Sequence, residues 1–252
     1  MDMGKNPEAQ YRRYRPDYTG MDVQEFTFCT MEDLFGRPCA LQADRITAQG
    51  AGKPQPVVIF VHGGGFSEPN DKRQAYISRF ARPLTAAGYT VFSPDYPQYD
   101  SPDQFARAGD ERKACRTAGE AIHHLYQYLQ AHSSELGLDA GRIALMGGSA
   151  GGMASFYAIA RHPEERYRML GSLWGAPSHL PELRRFPPVL SVHGTADQLV
   201  PYAQALALQQ ELTRCGVPHQ LISLEGAGHT PIARMPDYLP QLLEWLRQTM
   251  NQ

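Results

Sequence analysis

Ser149 lies at the centre of a G-x-S-x-G pattern that spans residues 147–151. An apolar segment, residues 142–145, precedes the pattern, and a segment compatible with a helix, residues 153–161, follows it. In a strand–turn–helix context this pattern lifts a serine hydroxyl clear of a sheet as a nucleophile. The flanking glycines suit such a turn because its strained backbone leaves no room for a Cβ atom. The pattern also occurs in ordinary turns, so a catalytic Ser149 requires partner residues elsewhere in the chain.

Two later residues have the chemistry that an activated serine requires. A serine hydroxyl becomes a strong nucleophile when a base removes its proton and a carboxylate orients that base. Asp197 follows an apolar segment at residues 188–192, and His229 follows the next one, residues 220–224. Alone, Asp197 could be a helix N-cap and His229 a surface residue. The order Ser, Asp, His, each after a strand, predicts instead a catalytic triad of Ser149, Asp197 and His229.

Residues 62–66, His-Gly-Gly-Gly-Phe, follow a run of β-branched and apolar residues at 56–61. Ester or amide cleavage places negative charge on the former carbonyl oxygen, and the loss of one donor to that oxygen costs about 3 kcal/mol. We therefore predict an oxyanion hole formed by the backbone amides of Gly64, Gly65 and Ala150. A phosphate-binding loop is the alternative, but the glycines lack the Lys-Ser/Thr of a P-loop and the spacing of a dinucleotide fingerprint.

Predicted strands and helices alternate over most of the chain. A hairpin formed by residues 23–29 and 37–44, with Gly36 in its turn, comes first. The later strands are predicted at residues 56–61, 89–93, 142–145, 169–174, 188–192 and 220–224. The helices are predicted at residues 71–87, 103–131, 153–161, 201–214 and 236–250, with Pro83 expected to kink or split the first. This alternation predicts an α/β fold with a mostly parallel central sheet and helices on both faces.

Length and charge limit the class of protein. The chain has 252 residues, 20% of them charged, and a formal net charge of −2, which suits a single fold with a sizeable core. We interpret residues 1–22 as an N-terminal tail and residues 23–252 as one domain with a short insertion at about 175–187. The balanced charge argues against nucleic acid or a membrane surface as a partner. The sequence shows no signal-peptide or membrane-spanning segment, so a cytoplasmic location is expected, with export after removal of a signal peptide as the alternative.

The cysteines and histidines show no metal-ligand spacing, so we expect neither a metal nor another cofactor. Cys29 and Cys39 lie on opposite arms of the predicted hairpin and could form a disulfide. A cytoplasmic location favours reduced thiols, and the sequence leaves both states open. His193, His123 and His162 are interpreted as packing, exposed or structural residues.

Together these motifs resemble the α/β-hydrolase superfamily, in particular the esterase/lipase group related to hormone-sensitive lipase and the bacterial acetyl, xylan and feruloyl esterases. The resemblance spans residues 23–252 and rests on four blocks, which are His62-Gly63-Gly64-Gly65-Phe66, Gly147-Gly148-Ser149-Ala150-Gly151-Gly152, His193-Gly194-Thr195-Ala196-Asp197 and Gly228-His229. It implies an α/β-hydrolase fold and a serine esterase. The group commonly has Asp-Tyr-Arg after the strand at residues 89–93, whereas this chain has Asp95-Tyr96-Pro97.

The substrate is predicted from the loops that would surround the serine. Phe66, Tyr96 and Trp174 could line a substrate pocket, where aromatic faces suit sugars or aromatic acyl groups, or could pack in the core. The insertion at 175–187 is too short for a large lid, which disfavours long-chain lipids. We therefore expect a short-chain or carbohydrate-linked acyl ester, cleaved through an acyl-enzyme intermediate.

Two other functions are compatible with the same motifs. An amide hydrolase, such as a formamidase or a peptidase, would use the same triad. A non-catalytic binding module on a hydrolase scaffold would not need an activated serine and commonly loses a triad residue. The oligomeric state is not determined by the sequence.

Overall fold

The computed structural model describes residues 16–50, 52, 54–108 and 110–251, in which one eight-stranded sheet runs through the molecule. The strands are β1 (Met21–Glu32), β2 (Pro38–Ala48), β3 (Gln55–Val61), β4 (Thr90–Pro94), β5 (Leu138–Gly148), β6 (Tyr167–Leu173), β7 (Val189–Gly194) and β8 (His219–Leu224). The helices are α1 (Ala75–Ala86), α2 (Pro102–Ala108), α3 (Glu111–Ala131), α4 (Ser133–Leu136), α5 (Ala150–Arg161), α6 (Tyr202–Arg214) and α7 (Met235–Met250). A 3₁₀ turn, Ile232–Arg234, precedes α7.

The strand order is β1-β2-β4-β3-β5-β6-β7-β8. β2 pairs antiparallel with β1 and with β4, and the other five pairs are parallel. Parallel strands place their carboxyl ends at one edge of a sheet, where open α/β folds build their sites. The prediction of an α/β-hydrolase fold with a mostly parallel sheet is confirmed.

The central strands are buried on both faces. In β3, Val57 and Ile59 pack in the same core as α3 and α5, while Val58 and Phe60 pack in the core that contains α1 and α7. This two-sided burial explains why the sequence shows a continuous apolar run here rather than an alternating one. The central strand β5, which leads to Ser149, is held between β3 and β6.

The first two predicted helical regions differ from the structure. α1 continues through Pro83 to its end, because Phe80 and Leu84 are fully buried against the sheet and their packing offsets one lost hydrogen bond. The predicted helix at 103–131 is two helices, since the Asp110 side chain accepts a hydrogen bond from the Lys113 amide (2.8 Å) and caps the start of α3.

The entry hairpin is longer than predicted, and its register separates the two cysteines. Cys29 lies opposite Leu41 and Cys39 lies opposite Met31, and both thiols are free. The residues before 16 in the predicted tail lie outside the described part of the chain. Asp17 packs on α1 through its amide and carboxylate. The single-domain organisation of residues 23–252 and the cytoplasmic location stay predictions. Among the described helices, none combines the length and apolar character needed to span a bilayer.

Candidate active site

Ser149 occupies the sharp turn between β5 and α5. Its backbone has φ 50° and ψ −122°, a conformation that costs energy for any residue other than glycine. The Ser149 amide donates a hydrogen bond to the Leu173 carbonyl (2.9 Å), which ties the turn to β6. A Cβ atom at Gly147 would overlap the backbone of Gly151. The G-x-S-x-G pattern therefore has glycines where two backbone segments are in contact.

The structure brings the three predicted catalytic side chains together. His229 Nε2 lies 2.9 Å from Ser149 Oγ, and His229 Nδ1 lies 2.7 Å from Asp197 Oδ2. The Asp197 side chain is fully buried, and that of His229 is 11% exposed. With the Nδ1 proton donated to Asp197, the Nε2 lone pair of His229 faces the serine hydroxyl and can accept its proton.

Two loops at neighbouring strand ends place Asp197 beside His229. The loop after β7 and the loop after β8 are joined by a hydrogen bond from the Ala196 amide to the Ala227 carbonyl (2.9 Å). A second bond joins the Gly226 amide to Thr195 Oγ1 (2.9 Å). Because β7 and β8 are adjacent and parallel, both loops leave the sheet at the same edge. The acid and the base thus approach although they lie 32 residues apart in the chain.

The Asp197 carboxylate is surrounded by donors. Its Oδ1 accepts hydrogen bonds from the amides of Leu199 (2.9 Å) and Val200 (3.0 Å), and its Oδ2 lies 3.2 Å from His193 Nε2 as well as beside His229. Burial alone would raise the pKa of Asp197, but the hydrogen bonds from His193 and His229 outweigh it and hold the pKa well below its usual range. Asp197 is therefore ionised at neutral pH.

His193 contributes a contact to the Asp197 carboxylate, whereas the sequence analysis interprets it as a packing residue. Its ring is buried, and Nε2 also contacts the Val200 carbonyl (2.8 Å), which requires a proton on Nε2. That proton is shared between the carbonyl and the Asp197 carboxylate. The signal in the sequence is the spacing of four residues between His193 near the end of β7 and Asp197 in the loop that follows.

The carbonyl groups of the glycine loop after β3 are held from one side. The Gly63 carbonyl accepts from His62 Nδ1 (2.7 Å) and Tyr96 Oη (3.2 Å). The Gly64 carbonyl accepts from Asn70 Nδ2 (3.1 Å) and Ser67 Oγ (3.2 Å). In a trans peptide the next amide N–H points away from the carbonyl. The amides of Gly64 and Gly65 are therefore turned away from these side chains.

These amides are the predicted oxyanion donors. Among the described residues, those of Gly64 and Gly65 donate to no protein acceptor. Ala150 begins α5, so its amide is one of the unpaired N–H groups of a helix start. All three residues line the cavity that contains Ser149. The arrangement can stabilise a negative oxygen formed next to Ser149, although the role of these amides in catalysis stays a prediction.

The prediction that Tyr96 lines the substrate pocket is corrected by the structure. Its ring is buried and stacks on His62 with ring centroids 4.3 Å apart, and its hydroxyl donates to the His62 carbonyl (3.0 Å). Tyr96 therefore packs against the glycine loop and holds it in place. Tyr76, which sequence reasoning missed, accepts a hydrogen bond from the Gly63 amide (2.5 Å). No motif marks Tyr76, because it reaches the loop only when α1 packs on the sheet.

The cavity around Ser149 has a volume of about 580 Å³ and is lined by apolar and polar side chains. The apolar side chains include Phe66, Pro102, Phe105, Met153, Trp174, Leu199 and Val200. The polar ones include Asn70, Asp71, Arg73, Gln74 and Glu111. Phe66 and Trp174 thus occupy the predicted positions. A more open cleft of about 710 Å³ between β1 and α3 carries charges of both signs and contains none of the triad residues.

Backbone strain is concentrated at this cavity. Among the described residues, four non-glycine residues have positive φ, namely Phe66 (56°), Ser149 (50°), Trp174 (46°) and Thr230 (53°). All four line the cavity. Such conformations persist only where the surrounding structure enforces them, and they cluster at functional sites. The strain supports this cavity as the candidate functional site independently of the sequence motifs.

The role of Asn70 can be tested by substitution. Asn70 Nδ2 holds the carbonyls of Gly64 (3.1 Å) and Ser67 (2.6 Å), so Asn70→Ala frees the peptide plane that aims the Gly65 amide. We expect kcat for ester hydrolysis to fall about 10- to 100-fold, somewhat less than the loss of an oxyanion donor itself, with KM changed little. Steady-state kinetics measure kcat and KM separately. Gln241→Ala on α7 is the matched control, and an unchanged kcat in a folded Asn70→Ala protein would contradict the assignment.

The fold, with Ser149 on the turn after its central strand, defines the chain as an α/β hydrolase. A sequence model of the BD-FAE family matches residues 44–170, about half of the chain, and the chain belongs to this family. A model of the prolyl oligopeptidase family matches residues 166–252, which include Asp197 and His229.

Individual relatives agree with this assignment. Esterase YjfP of Escherichia coli (strain K12) is 28% identical over 65% of this chain and 77% of that protein. A truncated carbohydrate esterase from gut microbiota has a TM-score of 0.72 at 15% identity, covering 94% of this chain and 100% of that one. Esterase 2 of Thermogutta terrifontis has a TM-score of 0.71 at 17% identity, covering 95% and 96%. The predictions of the esterase group and of a carboxylic ester hydrolase are confirmed.

Proposed function

We propose that the chain is a serine esterase that hydrolyses short-chain or carbohydrate-linked acyl esters through an acyl-enzyme intermediate. The observation that carries this proposal is the hydrogen-bonded series from Ser149 through His229 to Asp197, which opens into a cavity with unpaired amides. A nucleophile, its base, an orienting carboxylate and donors for the oxyanion together suit acyl transfer.

In the first half-reaction Ser149 Oγ attacks the carbonyl carbon of the ester and gives its proton to His229 Nε2. The carbonyl electron pair moves onto oxygen, which the amides of Gly64, Gly65 and Ala150 stabilise. Asp197 stabilises the imidazolium that forms. When the carbon–oxygen bond of the alcohol breaks, His229 returns the proton to the alkoxide, and the alcohol leaves.

In the second half-reaction, water takes the place that the alcohol has in the first. His229 Nε2 accepts a proton from a water molecule, whose oxygen attacks the acyl carbon bound to Ser149. The tetrahedral intermediate collapses, the acid is released, and His229 returns the proton to Ser149 Oγ. One water is consumed for each ester, and the enzyme regains its starting state without a cofactor.

The lining of the cavity supports the proposed substrate. Its apolar side chains, such as Phe66, Phe105 and Met153, suit an acyl chain or ring, and its polar side chains, such as Asp71 and Arg73, suit a hydroxyl-rich alcohol. Residues 175–187 contain no helix or strand that could act as a large lid. One structural relative is a carbohydrate esterase, and Thermogutta esterase 2 has been seen with butyrate bound. These relatives support a short acyl group and a carbohydrate alcohol.

An ester series tests this proposal. We expect kcat/KM for p-nitrophenyl esters to be highest at acetate or butyrate and at least tenfold lower at laurate, because the cavity volume limits the acyl chain. Acetylated xylo-oligosaccharides should be cleaved faster than an acetate ester of a simple alcohol. Ser149→Ala serves as the blank. A preference for laurate would contradict the short acyl group, and equal rates on both alcohols would contradict the carbohydrate.

Amide hydrolysis is the second candidate, favoured by the prolyl oligopeptidase match over residues 166–252. Both reactions would use the same triad, so substrate preference distinguishes an esterase from an amidase. Matched p-nitrophenyl acetate and p-nitroacetanilide, together with a formanilide, separate them. The esterase proposal expects kcat/KM to be higher for the ester after correction for the uncatalysed rates, and the opposite order would favour the amidase.

A further inference from the structure

Two histidines and three glutamates form a cluster at the far end of α5. His123 from α3 and His162, the residue after α5, stack with ring centroids 3.6 Å apart and 8° between their planes. His162, Glu164 and His123 each offer a ligand atom, and these atoms all lie within 4.8 Å of one another. Ser149 precedes α5 and His162 follows its 12 residues, so the cluster and the nucleophile are roughly 18 Å apart. The cluster is separate from the candidate active site.

Both imidazoles are braced by carboxylates at one ring nitrogen. His123 Nδ1 lies 2.7 Å from Glu165 Oε1, and His162 Nε2 lies 3.2 Å from Glu120 Oε2. A ring nitrogen that donates its proton to a carboxylate leaves the lone pair on the other nitrogen. These lone pairs belong to His123 Nε2 and His162 Nδ1. Histidines that bind metals in proteins are held in this way, with a carboxylate on the nitrogen that does not coordinate.

The free side of His162 faces another acceptor. His162 Nδ1 lies 3.4 Å from Glu164 Oε1. In the tautomer that Glu120 favours, a nitrogen lone pair and a carboxylate oxygen point at each other with no proton between them. Either a protonated imidazole or a bound cation would relieve this repulsion. The Glu164 side chain is 63% exposed, so an ion can reach the cluster from solvent.

Glu165 places a buried carboxyl group against His123. Its side chain is 1% exposed, and its Oε2 has no hydrogen-bond partner in the part of the chain that the structure describes. Burial raises the pKa of this carboxyl to about 8. The neighbouring Arg161 is already paired with Glu120 (2.5 Å). Glu120, Glu164 and Glu165 therefore all lie beside the two imidazoles, and Arg161 pairs with one of these three side chains.

We propose that His123, His162 and Glu164 bind a divalent transition-metal ion such as Zn²⁺, with Glu165 and Glu120 orienting the two imidazoles. Imidazole ligands favour zinc and its neighbours over magnesium or calcium. A metal bonds in the plane of an imidazole ring at about 2.1 Å, so the two stacked rings must open toward the ion. Three protein ligands leave a position for water. The ion would fasten α3 to the turn after α5 and so stabilise the fold.

Sequence spacing gave no sign of this site. His123 lies on α3 and His162 follows α5, so only His162 and Glu164 are close in the chain. The expectation that the protein holds no metal rested on the lack of a local motif. Packing of α3 against α5 assembles the cluster.

Binding of Co²⁺ to the full chain, first stripped with a chelator, tests the proposal. We expect one equivalent of Co²⁺ with the visible bands of a tetrahedral site, displaced by Zn²⁺, and a higher unfolding midpoint when Zn²⁺ is added. His162→Ala should remove this equivalent, and Glu164→Gln should weaken Co²⁺ binding at least tenfold. Glu164 is exposed, so its variant keeps the fold intact if His162→Ala does not. Ester hydrolysis by Glu164→Gln should be unchanged.

His179→Ala and His229→Ala are the control variants. Both histidines lie outside the cluster, and His229 belongs to the candidate active site. Retention of the Co²⁺ spectrum in both controls, with its loss in the cluster variants, supports the site. The proposal is overturned if the wild type gives no tetrahedral spectrum, or if Glu164→Gln and His162→Ala bind Co²⁺ like the wild type. Neither result affects the esterase proposal, which uses other residues.

Discussion

Replacing Ser149 by alanine is expected to lower kcat for ester hydrolysis by about a million-fold. The alanine removes the oxygen that attacks the ester, while the cavity walls and the amides that bind substrate remain. His229 then has no hydroxyl 2.9 Å from its Nε2 to deprotonate. Initial rates with p-nitrophenyl acetate measure the loss. The residual rate comes from the oxyanion hole and substrate positioning alone. In serine hydrolases this residual rate still exceeds the rate in water by about 10³-fold.

Ser133→Ala at the start of α4 provides the matched control, since it makes the same chemical change away from the cavity. Its kcat should equal that of the wild type. A fluorophosphonate probe should label the wild type and the control covalently and leave Ser149→Ala unlabelled. A Ser149→Ala protein with full activity would remove the proposed mechanism, and an unlabelled wild type would favour a binding module.

Asp197→Asn is expected to lower kcat by about 10⁴-fold with a small change in KM. An asparagine amide can donate to His229 Nδ1, which places the ring proton on Nε2, where it cannot accept the proton of Ser149. The substitution also removes the negative charge that stabilises the imidazolium in the transition state. Steady-state kinetics measure the effect, and Asp100→Asn, at an exposed carboxylate, is the control. A loss below tenfold in a folded variant would show that Asp197 does not orient the base.

The same variant tests the pH dependence of stability. The pKa of Asp197 is held below that of an unfolded aspartate, which is about 4. Above that value both states are ionised and the full stabilisation is present; it is lost as the pH falls and the unfolded chain takes up a proton first. The wild type should exceed Asp197→Asn by about 2 kcal/mol near pH 7, as hydrogen bonds to a charged group suggest. Urea unfolding should show this difference shrinking toward about pH 3, and a constant difference would contradict the shift.

Much of the fold could be predicted from the sequence because its central strands are buried on both faces. Val57 to Val61 form a continuous apolar run for that reason, and Gly63, Gly147 and Gly151 mark close backbone approach. Helix ends were less predictable. Capping at Asp110 divides one apolar stripe into two helices, and packing of α1 keeps it intact across Pro83.

The sequence by itself determined the residue types and the chain order of Ser149, Asp197 and His229, because each follows a strand whose pattern is local. Only the tertiary structure decided that Asp197 is shared with His193, and that Tyr96 supports the glycine loop instead of lining the cavity. The same holds for the hydrogen bonds from Asn70 to the glycine loop and for the stacking of His123 on His162. These contacts join side chains from elements distant in the chain. Their geometry depends on how helices and loops pack against the sheet, which a local sequence pattern does not encode.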